Sequence, residues 1–374
     1  MQERWCQNCA LNEKEIYWIF KLIFMQRFLQ VFSLIVLSSF SFSSCFEKVN
    51  INPDGVNDTG CNDILHWDGT MLFNNPDNPF LQEIPDSAVI HPNSQQMIDL
   101  IKSRCGNNLS NTYVNTGDYS LPVYLAGDIT PRRDVNITLY PPPGKSVLKS
   151  VPIPLGARPA AASDGHLAII DKDSRCVYEF WIYNNYHAGS GNAMSLDSSG
   201  CYKDGRSTIA AGWCQLQGVI WPKEMQQGVI NHALSFTIPV TNANGYVFPA
   251  THNDGALHDN PYAVPEGTLI RIRPDINIDT LPGIGPMEKI IYRAIQRYGM
   301  YCSDTNGAGL GIRAVSPASL PPNSYPAAFD MNNEYKNFYM KNFPFKYLEV
   351  IYTGELQQFK PNRPYIHHGC AQWN

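Results

Sequence analysis

Apolar and polar residues exchange in short runs along most of this chain, and apolar stripes at helical spacing are few. His166 to Asp171 (HLAIID) and Cys176 to Tyr183 (CVYEFWIY) flank the polar stretch Lys172 to Arg175, a pattern that predicts a β-hairpin. Tyr119 to Asp128, Val135 to Tyr140, Asn231 to Pro239, Gly245 to Ala250, Thr268 to Arg273 and Phe343 to Tyr352 have the same strand character. Ser94 to Ser103 places Met97, Leu100 and Ile101 on one helical face, with Ser94 as N-cap. A second helix is predicted from Pro286. Ile290, Ile291, Ala294, Ile295 and Tyr298 form its apolar face, Lys289, Arg293 and Arg297 its solvated one, and Gly299 ends it. Pro141 to Pro159 reads as an extended proline-rich linker or strap.

Strands at short intervals, many turn residues and one or two short helices predict a mainly β fold, a β-sandwich of jelly-roll character. The expected organisation is an upstream extension and signal segment over 1–45, an Asn/Pro-rich region packed on the core over 46–140, and the sandwich domain over 141–374. The 374 residues suffice for one large β domain or two smaller ones. Charged residues make up 16% of the chain, below the usual quarter of a soluble protein, and the net charge is −5. With no basic excess to neutralise phosphates, a nucleic-acid partner is excluded.

The run Phe28 to Phe42 (FLQVFSLIVLSSFSF) is apolar and uncharged, with Arg27 before it and Ser43 and Ser44 after it. A basic start, an apolar centre and a small-residue end make a secretory signal. The run is shorter than the roughly 20 residues that span a bilayer as a helix; a retained N-terminal anchor is the alternative. Ser43-Ser44-Cys45 resembles a bacterial lipobox, which makes Cys45 a candidate lipid anchor, against plain peptidase cleavage nearby. The expected location is outside the cytoplasm: secreted, periplasmic or held at the envelope as an outer-membrane lipoprotein. Cys61, Cys105, Cys176, Cys201, Cys214, Cys302 and Cys370 follow, spaced too widely for a zinc ribbon, and disulfides are their expected state.

Asp164-Gly165-His166 opens the hairpin, and the glycine allows a turn tight enough for Asp164 and His166 to converge; a turn with Asp164 capping backbone amides is the plainer alternative. Strand phase puts Glu179 and Trp181 on one face, a carboxylate beside an indole, as a sugar site uses. His232 starts an apolar strand, and His252 follows a strand end, where loops build sites. His166, His232 and His252 are too far apart in sequence for a metal motif, so no metal and no cofactor is expected. Gly189-Ser190-Gly191 lacks the spacing of a hydrolase elbow and reads as a flexible loop.

Ser163-Asp-Gly-His166-Leu, Tyr178-Glu-Phe-Trp181, Ala188-Gly-Ser-Gly191, Ile230-Asn-His-Ala-Leu234, Pro249-Ala-Thr-His252 and Arg297-Tyr-Gly-Met300 occur in that order. In this order they resemble a group of secreted bacterial proteins, mostly uncharacterised, over about Pro152 to Asp304. The resemblance implies an extracellular role and carries no activity with it. It departs at Asp304, which lies behind an inserted-looking Cys302-Ser303.

These residues point to an enzyme acting on extracellular polysaccharide, a glycosidase with Asp164 and Glu179 as paired carboxylates. His232 and His252 are the further catalytic candidates, and His166, Trp181 and Tyr298 the substrate-binding ones. A lyase with His and Tyr as base and acid is a variant. A non-catalytic carbohydrate-binding or surface-adhesion protein is the alternative from another class, and an envelope structural protein a third. The expected partner is a polysaccharide or glycan, with membrane contact only through Cys45.

Overall fold

The computed structural model describes residues 73–105, 111–307, 309–329, 336–360 and 362–374. The expected signal segment, Cys45 and Cys61 lie outside the described residues. Residues 62–374 form one compact unit by contact. Strand outweighs helix, 29% to 16%, in several sheets with no barrel, so the chain is mainly β and sandwich-like.

The larger sheet has seven strands. In spatial order they are β15 (Phe338–Tyr339), β1 (Thr112–Asn115), β14 (Leu310–Arg313), β9 (Leu234–Ile238), β13 (Met300–Thr305), β12 (Leu269–Ile272) and β16 (Leu348–Ile351). A four-stranded sheet runs β2 (Val123–Ala126), β5 (Leu167–Asp171), β6 (Cys176–Trp181), β8 (Ser190–Ser195). A three-stranded sheet runs β4 (Val147–Pro152), β3 (Arg132–Ile137), β7 (His187–Ala188), and β10 (Thr241–Tyr246) pairs with β11 (Val264–Glu266). The β5–β6 hairpin forms as its sequence predicts, with Leu167 opposite Phe180 and Asp171 opposite Cys176. By contrast β1–β14, β9–β13 and β2–β5 are parallel. A parallel pair needs a long crossover rather than a hairpin, so these ladders lie beyond an antiparallel jelly-roll pattern.

Alternation along each strand assigns its two faces. Leu234, Phe236, Ile270, Met300, Cys302 and Ile312 face helices α1 (Ser94–Cys105) and α3 (Pro286–Arg297). Leu269 and Tyr301 face the other way, onto Trp213, Ile209 and Phe80. In the four-stranded sheet Leu167, Ile169, Tyr178 and Phe180 pack on Val135, Ile137 and Leu148 of the three-stranded one. Ala168, Ile170 and Val177 meet Tyr202, Cys214, Leu216 and Trp221. The irregular segment from Tyr202 to Trp221 is thus a filling between the larger sheets, its residues serving both: Trp213 one side, Cys214 the other.

Several expectations change. The region before residue 140 supplies β1, β2 and β3 to three sheets instead of lying over a finished core. The proline-rich segment contains β4: its prolines sit at the ends of the strand, where no ladder donor is needed. Gly189-Ser190-Gly191 is not a loose loop. β8 begins at Ser190, and the Trp181 and Phe180 rings lie where a Cβ on Gly189 or Gly191 would sit. Ser94 does not cap its own helix; its Oγ accepts the Val350 N–H at 2.8 Å and ties α1 to β16. A short helix α2 (Pro222–Gln227) joins the expected pair. Among the described cysteines, Cys176 and Cys370 form a disulfide and Cys105, Cys201, Cys214 and Cys302 are free. No helix among the described residues is long and apolar enough to cross a membrane.

Candidate functional site

A cleft of about 1080 Å³ opens between the seven-stranded and four-stranded sheets. One wall is a row across the larger sheet. Tyr113, Gly311, Thr237 and Asp304 stand in register on β1, β14, β9 and β13, and Asn115 opposite Arg313 makes the next row. Asp304 belongs to this wall because of a bulge. Cys302 pairs with Phe236 and Asp304 with Thr237, leaving Ser303 as the extra residue, its Oγ donating to the Phe236 carbonyl at 2.9 Å. Unbroken alternation from Met300 and Cys302 would aim residue 304 at the helices; the bulge turns it into the cleft.

The facing wall comes from the smaller sheet and its loops. Asp164 and His166 lie just before β5, and Trp181 ends β6. Gly165 has φ +46° and a Cβ there would sit 3.2 Å from the Tyr183 nitrogen, so the tight turn between Asp164 and His166 requires glycine. Tyr140 stands 6.0 Å from Trp181, ring centre to ring centre, and Tyr119 hydrogen-bonds Ser163 at 3.3 Å; both tyrosines are exposed at the rim. The segment from Asp204 to Ala210 and the loop carrying His252 and Asp254 close the remaining side.

Electrostatics single out Asp304. Its carboxyl is pushed up to about 7, first by burial and then by the charge of Asp254, against the pull of Arg313 and the Ala210 N–H. Ala210 serves a pair of groups. Its N–H donates to Asp304 Oδ2 at 3.3 Å, and its carbonyl accepts from His252 Nδ1 at 3.0 Å. A carbonyl can only accept, so Nδ1 carries the proton in neutral His252 and Nε2 holds the lone pair. Burial lowers the His252 pKa, which favours the neutral ring. His166 is held down to about 3 by burial and by the charge of Arg313, and its Nδ1 has no partner. Behind the loop, buried Glu266 accepts the Asp254 N–H at 3.2 Å and contacts its carboxylate; burial and the charge of Asp254 push the Glu266 pKa well up.

The cleft therefore gathers Asp164, His166, Trp181 and His252 from the expected set, and leaves out Glu179, His232 and Tyr298. Glu179 shares the Trp181 face but lies two residues deeper, fully buried beneath the 207–215 segment. It accepts the Gln215 N–H at 2.7 Å, and the Thr208 N–H and the Ser207 hydroxyl at 3.3 Å each, so its oxygens are spent on backbone and no substrate reaches it. The Asp164–Glu179 pair is not assembled in the cleft for this reason. His232 bonds Glu224 Oε1 at 2.9 Å and the Ala233 carbonyl at 2.8 Å, securing α2 to the chain entering β9. Tyr298 is buried against the larger sheet with Arg297 over its ring at 5.2 Å. Asp254, Asp304 and Arg313 were missed. Asp254 stands two residues beyond His252, and Asp304 and Arg313 sit on short strands without clean alternation. The described residues contain no cluster of metal-ligating side chains.

No family model matches the chain, and neither a curated protein nor a solved structure matches it. The site is read from its own chemistry.

Proposed function

We propose that this protein cleaves an extracellular polysaccharide, as a glycosidase with Asp304 as general acid and Asp254 as the partner carboxylate. The observation that carries the reading is the Asp304 carboxyl on the wall of an open cleft, raised to about 7 by burial and by Asp254. An acid that must protonate a leaving oxygen near neutrality needs that poise, and a second carboxylate nearby both creates it and serves as base or nucleophile. Asp164, across the cleft, bonds sugar hydroxyls. Trp181 and Tyr140 offer faces on which pyranose rings stack, and the cleft volume lies just above the roughly 300–1,000 Å³ range of small-ligand pockets, which suits a polymer. His252, with a free Nε2, positions substrate or carries a proton. The apolar run Phe28 to Phe42 and the Ser-Ser-Cys45 that follows, read as an export signal, support a location outside the cytoplasm, secreted or at the envelope.

A second reading, a binding module without catalysis, draws on the exposed rim tyrosines Tyr119 and Tyr140. A polysaccharide screen of the exported protein, scored for new chain ends, separates them. Wild-type protein should cleave a polymer that Asp304→Asn binds but leaves intact. Retention of polymer by wild type without any cleavage contradicts the enzyme and leaves the binding module.

A further inference from the structure

Arg313 is a buried cation without a partner among the described residues. It is 8% exposed, projects from β14 onto the cleft wall beside Gly311, and makes no hydrogen bond and no ion pair with any described residue. The contrast with the other deeply buried arginine is direct. Arg271, 2% exposed, donates to Glu349 at 2.7 Å and to the Pro85 carbonyl at 2.9 Å. The other arginine lining the cleft is also used: Arg206 donates to the Arg363 carbonyl at 3.1 Å. Taking a guanidinium out of water is costly unless its fork is filled. Asp304, Glu179 and Asp164 attract Arg313 without a hydrogen bond to any of them, and leave its donors unspent.

Resting on the reading that the cleft takes a glycan, we infer that the glycan is acidic, and that Arg313 binds an anionic group of one sugar unit through both prongs of its guanidinium. A planar fork of N–H donors matches a carboxylate in two parallel hydrogen bonds, and a sulfate ester presents oxygens at similar spacing. The carboxylate of a uronic acid and the sulfate of a sulfated sugar are the sources of this chemistry. Asn115, opposite Arg313 in register, uses its Nδ2 on the Tyr119 carbonyl at 3.0 Å and presents its Oδ1 to a sugar hydroxyl. Because Asp304 is protonated for much of its time below neutrality, the anion meets less repulsion than a count of carboxylates suggests. Arg313 then acts as a substrate-binding residue that sets specificity.

The test measures binding and cleavage by full-length exported protein on four polymers: a polyuronate, the same polymer with its carboxyls reduced to alcohols, a sulfated polysaccharide and a neutral one. Reducing the carboxyls should weaken binding by at least about 30-fold, the lower bound for losing one partner of a buried charge pair. Arg313→Gln should lose the preference for the acidic polymer, and Arg313→Lys should recover part of it. The carboxyl-reduced arm needs no mutation, so it decides even if the variants fold poorly. Preference for the sulfated polymer, lost in Arg313→Gln, assigns the anion as sulfate and supports the inference. Equal handling of the neutral or carboxyl-reduced polymer overturns it while the polysaccharide reading stands. Binding of no glycan at all overturns both.

Discussion

Glu179 and Asp304 have the same chemistry and opposite fates. Glu179 is sealed from water, and its oxygens hold the 207–215 segment through the Gln215 and Thr208 amides. Glu179→Gln turns an acceptor into a donor facing those N–H groups, so it should cost about 1–3 kcal/mol in a chemical denaturation series. The turnover of the protein that remains folded should be nearly unchanged. Asp304 should behave the other way. Its folded-state pKa of about 7 lies above the ordinary carboxylate value, so the folded chain binds the proton more tightly than the unfolded one. Stability then falls as pH rises from about 4 through 7. Asp304→Asn removes that loss, and melting curves should show its Tm advantage over wild type growing from pH 5 to pH 8. Sequence showed that acids and imidazoles were available around the hairpin. It did not show which of them water can reach, because burial of Glu179 depends on a segment some 30 residues downstream.

At the scale of elements, the bulge at Ser303 sets which face residue 304 takes. Deleting Ser303 should straighten the strand yet leave Asp304 next to Cys302 and opposite Thr237 on the cleft face, so cleavage should survive in the folded variant, while Ser303→Ala keeps the bulge and loses only the bond to the Phe236 carbonyl. That smaller change should cost about 1 kcal/mol and leave the rate intact; activity assays on both variants, with circular dichroism to check folding, test this. The same bulge explains why the strand was illegible. Met300 to Thr305 loses its period of two at Ser303, and Leu310 to Arg313 is four residues long with a glycine in it. The β5–β6 hairpin and α3, with sustained periodicity and clear turn or cap signals, were readable. The parallel neighbours β9–β13 and β1–β14 were not, since nothing local records which distant strand arrives beside another.

Across the whole molecule, the C-terminal strap joins the scaffold to the site. Cys370 is bonded to Cys176 on β6 across 194 residues. Further along the strap, the Ile366 N–H donates to Asp204 at 2.9 Å, and Phe359 packs edge-on against the His252 ring at 4.2 Å. A disulfide typically stabilises by about 2–4 kcal/mol. Cys370→Ser should lose that amount in denaturation and also raise KM, because the strap helps hold His252 and the Asp204 segment in place. An unchanged KM in the folded variant would separate the strap from the site. The mainly β class was legible at this scale. The cleft was not, because its walls come from separate sheets joined by the irregular filling between Tyr202 and Trp221.

The most direct measurement of the central claim is the pH dependence of kcat/KM for polysaccharide cleavage by wild type and Asp304→Asn. The wild-type value should fall tenfold per unit above about pH 7, where Asp304 gives up its proton. The variant should be slower by about 100-fold or more and lack that fall. A variant that cleaves at the wild-type rate, or a wild-type profile flat through pH 7, contradicts the account.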